Sequence, residues 1–305
     1  MLNNIHIQNF RCFEDFKAEG FERINLIGGK NNSGKTCLLE GIACLSSKFS
    51  IQDIVFHREN SNLLKILVNK NHSTNDFEIE SNFTHKNHNF ISSTKIAIGD
   101  NNALNSNSRL NNIEIDLITQ KIELPALSIV TSFDEFDAKL LKNRLIKILK
   151  IIDGRIEDIR TFNTKNGLYI KLSNSVYEPL SNFGDATKNL IRYFTPIFEK
   201  ELTPNKGDKF SILLIDEIEN GIHFSAHKDF WKNIFTLSKE LNVQVFATTH
   251  SLEMIKAFNE VAKEESEGAY FEMARNPENG KIVCIKHDAD LLEYELETNH
   301  SFRGE

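Results

Sequence analysis

The chain has 305 residues, a net charge of −7 and an isoelectric point near 5.9. This acidic balance excludes a global basic field of the kind that attracts nucleic acid, so contact with DNA or RNA would need a local basic patch. No apolar run approaches the roughly 18 residues that span a bilayer, and we expect a cytoplasmic protein without membrane contact. The four cysteines show neither zinc spacing nor the density of a disulfide framework, which is typical of a reducing compartment.

Two segments near the start of the chain predict strands that lead into a glycine-rich loop. Ile5, Ile7 and Phe10 alternate with polar residues, and 24–27 (INLI) is typical of a buried strand. The residues that follow, 29–36 (GKNNSGKT), match Gly-x-x-x-x-Gly-Lys-Ser/Thr in full. Apolar residues at helical spacing over 37–45 predict the helix that this motif requires. We therefore predict a phosphate-binding loop between a strand and a helix.

This loop suits nucleotide phosphates because a turn of small residues exposes successive backbone N–H groups at a helix N-terminus, where the dipole favours anions. Lys35 would reach the β- and γ-phosphates, and the Thr36 hydroxyl would be a ligand of Mg²⁺. We therefore predict nucleotide binding together with Mg²⁺. The predicted contact residues of the loop are Gly29, Lys30, Asn31, Asn32, Ser33, Gly34, Lys35, Thr36 and Cys37.

The middle of the chain, 49–177, predicts an antiparallel, β-rich insertion. Residues 100–112 (DNNALNSNSRLNN) have almost nothing to bury, which is typical of a mobile loop. A hairpin is predicted from 156–162 and 168–172, with its turn at Asn166 and Gly167. The other predicted strands of this segment are 63–68, 77–84, 89–98, 113–124 and 127–131.

One amphipathic helix is predicted in this middle segment, over about 134–152. Its apolar stripe is opposed by five bases, namely Lys139, Lys142, Arg144, Lys147 and Lys150. Two interpretations stay open. The bases form a solvated helix face, which is the more common role, or they contact a nucleic-acid backbone.

From residue 179 onward, helical and strand patterns alternate. The continuous apolar run 210–215 is typical of a strand in a parallel sheet that is covered on both faces. The predicted elements are, in order, a helix 185–199, a strand 210–215, a helix 225–240, a strand 243–247, a helix from Leu252, and a strand pair 269–274 and 281–286 that turns at Asn279 and Gly280. We therefore predict one α/β domain with a mostly parallel core sheet from 1–48 and 178–297, into which 49–177 is inserted.

Two acidic residues and one histidine follow predicted core strands. Asp216 and Glu217 come directly after 210–215, and His250 comes shortly after 243–247. Since open α/β sheets bind ligands at the carboxyl ends of their strands, these side chains are candidates for phosphoryl transfer. Asp216 would hold Mg²⁺ through water, Glu217 would orient or deprotonate the attacking water, and His250 would donate to the γ-phosphate.

The order of these motifs resembles the ABC-type ATPases, most closely the branch that contains SMC, RecF and OLD proteins and stand-alone ATPases of the AAA family. The opening 7–13 (IQNFRCF), together with the phosphate loop, is similar to the N-terminal signature of that branch. Residues 180–185 (LSNFGD) resemble its Leu-Ser-Gly-Gly-Gln signature, with Asn182 and Asp185 as departures. Residues 216–223 (DEIENGIH) look like its Walker B segment and D-loop, and His250 matches its switch histidine.

This resemblance implies a P-loop NTPase fold and an ATPase head that binds ATP and Mg²⁺ and closes head to tail with a second copy around two nucleotides. Ser181 and the backbone of Gly184 would then contact the γ-phosphate bound to the other copy. Arg11 would approach the phosphates, and Gln52 is the candidate for the Q-loop glutamine. The implied catalytic residues are Lys35, Glu217 and His250, and a monomer should hydrolyse ATP slowly.

The sequence shows no heptad-patterned arm of the SMC kind, and we expect no appended nuclease domain of the OLD kind. We therefore expect the head to control a separate effector, such as a nuclease or toxin in bacterial antiphage defence. One alternative is a DNA-repair ATPase that binds DNA through the basic helix. Another is the nucleotide-binding subunit of a transporter, against which the opening 7–13 and the Asn-Asn-Ser phosphate loop argue.

Overall fold

The computed structural model describes residues 1–45, 76–85, 88–98, 104–106, 113–118, 141–162, 165–173, 175–202 and 210–298. The strands are β1 (Leu2–Phe10), β2 (Phe13–Glu19), β3 (Ile24–Gly28), β4 (Asp76–His85), β5 (His88–Ile98), β6 (Leu104–Ser106), β7 (Ile113–Ile118), β8 (Ile156–Phe162), β9 (Lys165–Leu172), β10 (Tyr177–Pro179), β11 (Phe210–Ile215), β12 (Val243–Thr248), β13 (Gly268–Arg275) and β14 (Ile282–His287). The helices are α1 (Lys35–Ala43), α2 (Leu141–Leu149), α3 (Asp185–Leu202), α4 (His227–Glu240), α5 (Leu252–Glu265) and α6 (Ala289–Thr298).

A six-stranded sheet with the order β14-β13-β3-β12-β11-β7 carries the predicted site residues. Its neighbouring strands run parallel, except that β14 pairs antiparallel with β13. Successive side chains of a strand point to opposite faces, so Leu213 and Ile215 join one hydrophobic cluster while Ile212 and Leu214 join another. The predicted α/β fold with a mostly parallel core sheet is confirmed.

Helices cover both faces of this sheet, as parallel sheets require. One cluster includes Phe194 of α3, Trp231 of α4, Phe258 of α5 and Leu292 of α6. The other includes Leu38 of α1 together with apolar side chains of β1 and β2. The helix after the phosphate loop is therefore buried against the sheet that positions the loop.

The strand β7 corrects one prediction. It was expected within the antiparallel middle, but it pairs parallel with β11, from Ile113 opposite Phe210 to Ile118 opposite Ile215. Its sequence, IEIDLI, alternates apolar and charged residues, and that alternation fits an outer strand of either kind of sheet without fixing the partner. The middle segment thus contributes a strand to the core sheet.

A second sheet, antiparallel throughout, has the order β2-β1-β4-β5-β6. It joins the N-terminal hairpin to the middle segment, and the rings of Phe10 and Phe77 pack across this junction with centroids 4.9 Å apart. The predicted strands 77–84 and 89–98 are confirmed. Within the predicted mobile loop 100–112, Leu104–Ser106 instead forms β6, because its backbone pairs with β5.

A three-stranded sheet, β10-β9-β8, contains the predicted hairpin. The turn was placed wrongly: Phe162 pairs with Lys165, so Asn166 and Gly167 lie within β9 rather than at the turn. The helix α2 ends at Leu149, slightly before its predicted end, and α6 was not predicted. Gln52, the strands 63–68 and 127–131, and residues 119–124 and 134–140 lie outside the described residues.

In the described part of the chain, none of the helices combines the length and apolar character needed to cross a membrane.

Candidate nucleotide-binding site

The predicted phosphate loop connects β3 to α1. β3 ends at Gly28 and α1 begins at Lys35, with Gly34 as its N-cap at φ 96°. Gly29 also lies at positive φ, 132°, and a Cβ atom there would collide with the backbone carbonyl oxygen of Met273 in β13. Both positions therefore favour glycine, as the predicted motif demands.

Lys35 curls back over this loop. Its Nζ donates to the carbonyl oxygens of Gly29 at 2.7 Å and Lys30 at 2.9 Å, and lies 3.4 Å from Nδ1 of His250. Burial lowers the pKa of Lys35 to about 8, because desolvation disfavours the charged ammonium, while the acidic side chains of 216–219 raise it. The ammonium therefore faces the backbone carbonyls of the loop that is predicted to bind phosphate.

The residues predicted to hold Mg²⁺ contact one another. The Thr36 hydroxyl donates to Asp216, with 3.1 Å to Oδ2, and the Thr248 hydroxyl donates to Oδ1 of Asp216 at 2.6 Å. Across the residues that the structure describes, no group of three or more His, Cys, Asp and Glu side chains could hold a metal ion. Two hard oxygen ligands completed by phosphate and water are what Mg²⁺ uses in nucleotide sites.

The loop also contains a polar group that suits a ligand. Ser33 Oγ is buried and makes no hydrogen bond with the described residues. Buried hydroxyls are normally paired, so this one is available to a phosphate oxygen. With the ammonium of Lys35 and the oxygens of Thr36 and Asp216, the residues present fit a nucleotide with Mg²⁺.

Glu217 is held from two sides. Its backbone lies at φ 52°, an uncommon conformation for a residue with a side chain. Its N–H donates to Thr248 Oγ1 at 2.8 Å, and its Oε2 accepts from Asn220 Nδ2 at 2.9 Å. The carbonyl oxygen of Asn220 accepts in turn from Asn189 Nδ2 on α3 at 2.8 Å. The carboxylate is thus oriented by a turn that is bound to α3.

His250 lies beyond the end of β12. Its backbone N–H donates to Glu219 Oε1 at 2.7 Å, and Ser251 caps α5 by accepting from the N–H of Met254 at 3.1 Å. These bonds fix the backbone on both sides of the imidazole. The structure therefore brings together five predicted site residues, namely Lys35, Thr36, Asp216, Glu217 and His250.

Ser181 and Gly184 precede α3, which begins at Asp185, and they take no part in the hydrogen bonds of this cluster. Both are exposed, and a Cβ atom on Gly184 would meet nothing within 4 Å. The hydrogen bonds formed by the described residues join neither of them to the phosphate loop. Gly221, at φ 76°, packs against the backbone of Ala186 just behind them. The turn 180–185, which resembles the Leu-Ser-Gly-Gly-Gln signature, is therefore accessible to a second molecule at Ser181 and Gly184.

Arg11 forms an ion pair with Glu40 of α1, and both side chains are largely buried. Glu40 follows Thr36 by one helical turn, so the guanidinium lies against the helix that begins at the phosphate loop. Contact between Arg11 and a phosphate stays a prediction.

The basic face of α2 is partly neutralised within the chain. Lys142 is buried, with its Nζ 2.9 Å from Asp158 Oδ1, and Arg144 pairs with Glu240. Among the described residues, Lys147 of this helix and Lys150, one residue past its end, are exposed. Lys142 and Arg144 are thus paired with acidic side chains of the same chain, which argues against contact with nucleic acid, and Lys142 does not lie on a solvated face.

Three residues that form hydrogen bonds with the predicted site residues were not themselves predicted. They are Thr248, Glu219 and Asn220. Each lies within three residues of a predicted one, so proximity to the carboxyl ends of β11 and β12 was the available signal. The contacts of Thr248 and Glu219 join the ends of β11 and β12, which a linear pattern does not specify, whereas Asn220 contacts Glu217 within one turn.

The fold defines the class of the protein as a P-loop NTPase with the head fold of the ABC type. The chain belongs to the family described as "AAA domain, putative AbiEii toxin, Type IV TA system", whose model matches residues 24–256. A Helicobacter pylori protein named ATP/GTP phosphatase is 26% identical over an alignment of 388 residues that covers 100% of each chain.

Two solved structures show the same fold. An SMC head bound to the C-winged helix domain of ScpA has a TM-score of 0.66 at 12% identity, covering 96% of this chain and 99% of that chain. The recombination mediator protein RecF has a TM-score of 0.56 at 14% identity, covering 93% of this chain and 98% of that chain. The predicted fold, that of the SMC/RecF branch of ABC-type ATPases, is confirmed.

Proposed function

We propose that this ATPase binds ATP with Mg²⁺, hydrolyses it to ADP and phosphate, and forms a head-to-tail dimer in its ATP-bound state. The observation that carries the proposal is the convergence of Lys35, Thr36, Asp216, Glu217 and His250 at neighbouring strand ends of one parallel sheet. Open α/β sheets bind their ligands at this edge.

In this proposal Glu217 accepts a proton from the attacking water. The water oxygen bonds to the γ-phosphorus while the bond between that phosphorus and the bridging oxygen of ADP breaks. Lys35 binds phosphate oxygens and His250 donates to the γ-phosphate, so charge on the transferred group meets preorganised donors. Mg²⁺, held by Thr36 and Asp216, would supply positive charge beside the phosphates.

The dimer is proposed from the position of Ser181 and Gly184. Both are exposed at the start of α3, where helix N–H groups favour a phosphate. In a head-to-tail pair these residues of one copy would approach the γ-phosphate bound beside Lys35 of the other. Each site would be complete only in the dimer, and a monomer would hydrolyse ATP slowly.

We infer a separate effector from the names of the relatives. The SMC head of the same fold is bound to a domain of another protein, which supports an ATPase that works through a partner. The family description names a putative toxin of a type IV toxin–antitoxin system, and it supports a role in such a system, with the effector, such as a nuclease or toxin in antiphage defence, as our proposal.

The dimer is tested by a variant that binds ATP without hydrolysing it. Glu217→Gln keeps the shape of the side chain and removes the base, so the ATP-bound state should accumulate. Gel filtration with light scattering should then show a mass of two 35.0 kDa chains in ATP and Mg²⁺ and of one chain in ADP. A mass that ATP does not change would contradict the proposal.

A further inference from the structure

Glu219 connects the acidic turn after β11 to the histidine after β12. Its Oε1 accepts the backbone N–H of His250 at 2.7 Å, while its Oε2 is buried and makes no hydrogen bond to the residues that the structure describes. A buried carboxylate oxygen without a donor costs free energy, and such costs concentrate at functional sites. The role of Glu219 therefore needs an explanation beyond folding.

The backbone around His250 shows what this contact does. The N–H of Thr249 donates to the carbonyl oxygen of Ile27 at 3.0 Å, so that residue is held by the core sheet itself. The N–H of His250 is held instead by a side chain from the turn that carries Glu217. The position of the imidazole, with Nδ1 3.4 Å from Lys35 Nζ, thus depends on this turn.

We propose that Glu219 is a positioning residue for ATP hydrolysis, which fixes the backbone of His250 so that the imidazole faces the γ-phosphate. This inference rests on the function proposed above. The contact uses one carboxylate oxygen as an acceptor. A glutamine amide oxygen can therefore replace it, whereas an alanine cannot.

The test compares the wild-type chain with Glu219→Ala, Glu219→Gln and a control, Glu260→Ala. Glu260 is an exposed carboxylate on α5 that pairs with Lys228, away from His250. Glu219→Ala should lower kcat by about tenfold to a hundredfold, the scale of a misplaced catalytic group. Its Kd for ATP should stay within about threefold of that of Glu219→Gln, because the hydrogen bonds of Lys35 do not involve Glu219 and both variants remove the same charge near Lys35.

The conservative variant and the control distinguish positioning from folding. Glu219→Gln and Glu260→Ala should each retain at least about a third of the wild-type kcat. Wild-type kcat in Glu219→Ala would overturn the inference. So would a Glu219→Gln variant as slow as Glu219→Ala, or a parallel loss of kcat, ATP affinity and thermal midpoint, which indicates a structural role.

Histidine NMR separates this inference from the proposed function. The ring signal of His250, assigned with a His250→Gln variant, should be single and narrow in the wild type and in Glu219→Gln, and broadened or split in Glu219→Ala. A wild-type chain that does not hydrolyse ATP would contradict the proposed function but leave this comparison intact. An unchanged His250 signal in Glu219→Ala would overturn the inference itself.

Discussion

At the scale of single residues, the burial of Lys35 predicts that ATP binding depends on pH. Burial lowers the pKa of Lys35 to about 8, and phosphate oxygens favour the protonated ammonium. The affinity for ATP should therefore fall as pH rises above about 8, by up to about tenfold per pH unit. The Kd of a fluorescent ATP analogue, measured between about pH 7 and 9.5, checks this expectation.

Two variants control for other titrating groups. Lys30 lies in the same loop but is exposed, so Lys30→Gln should keep the wild-type pH dependence. In Lys35→Arg the side chain stays charged at every pH in this range, so any remaining affinity should not vary with pH. A wild-type Kd that is constant up to about pH 9.5 would show that Lys35 stays protonated without nucleotide.

The site residues that belong to one contiguous sequence motif could be predicted. Lys35 and Thr36 belong to one contiguous motif whose glycines are demanded by backbone geometry. Glu219 and Thr248 could not be predicted in the same way, because each acts by bonding to a residue about 30 positions away in sequence. That separation closes only when β11 and β12 lie side by side.

At the scale of secondary-structure elements, His287 joins the end of β14 to β13 and α6. Its Nε2 is 3.2 Å from Glu272 and its Nδ1 is 3.1 Å from Glu295. The hydrogen bond to Glu272 raises the pKa of His287 above its ordinary value, burial opposes the shift, and the charge of Glu295 adds to it. A raised folded-state pKa gives stability that is complete below about pH 6.5 and is lost as pH rises through the folded value.

His287→Gln should therefore destabilise the protein more at low pH than at high pH. Below about pH 6 the loss should be about 1.5–3 kcal/mol, the scale of hydrogen bonds to charged groups, and it should shrink toward about pH 9. Urea unfolding at both pH values measures this. As a control, His6→Gln removes a histidine beside Asp15 on a more exposed sheet face, where solvent screens the charges, and should cost less. An equal loss at both pH values for His287→Gln would contradict the expectation.

Helices and strands were predicted best where the hydrophobic pattern of a segment matches its burial in the fold. The run 210–215 is apolar at nearly every position, which only a strand buried on both faces requires, and it became β11. The strand β7 was assigned to the wrong sheet because strand pairing is decided by contacts distant in sequence. The helix α6 was missed although Leu292 packs into the same cluster as Trp231, since that docking is a tertiary contact.

At the scale of the whole molecule, the proposed function assigns phosphate contacts to two parts of the chain. Lys35 lies in the cluster around Asp216, whereas Ser181 is exposed at the start of α3. The two parts are linked within the chain, because Asn220 bonds to Glu217 on one side and accepts from Asn189 of α3 on the other. Under the proposed function, this link would couple the base of one site to the signature that completes the other.

Separate substitutions in the two parts should consequently have different effects. Lys35→Ala removes a charged donor and should weaken ATP binding by about tenfold to a hundredfold. Ser181→Arg adds bulk and charge to an exposed turn, so ATP binding by the monomer should change by less than about twofold, while the ATP-dependent dimer is lost and hydrolysis falls to the monomer rate. Calorimetry gives the first quantity and light scattering the second. Equal loss of ATP binding in both variants would place Ser181 in the site of its own chain, and a head-to-tail dimer would then not be needed to complete the site.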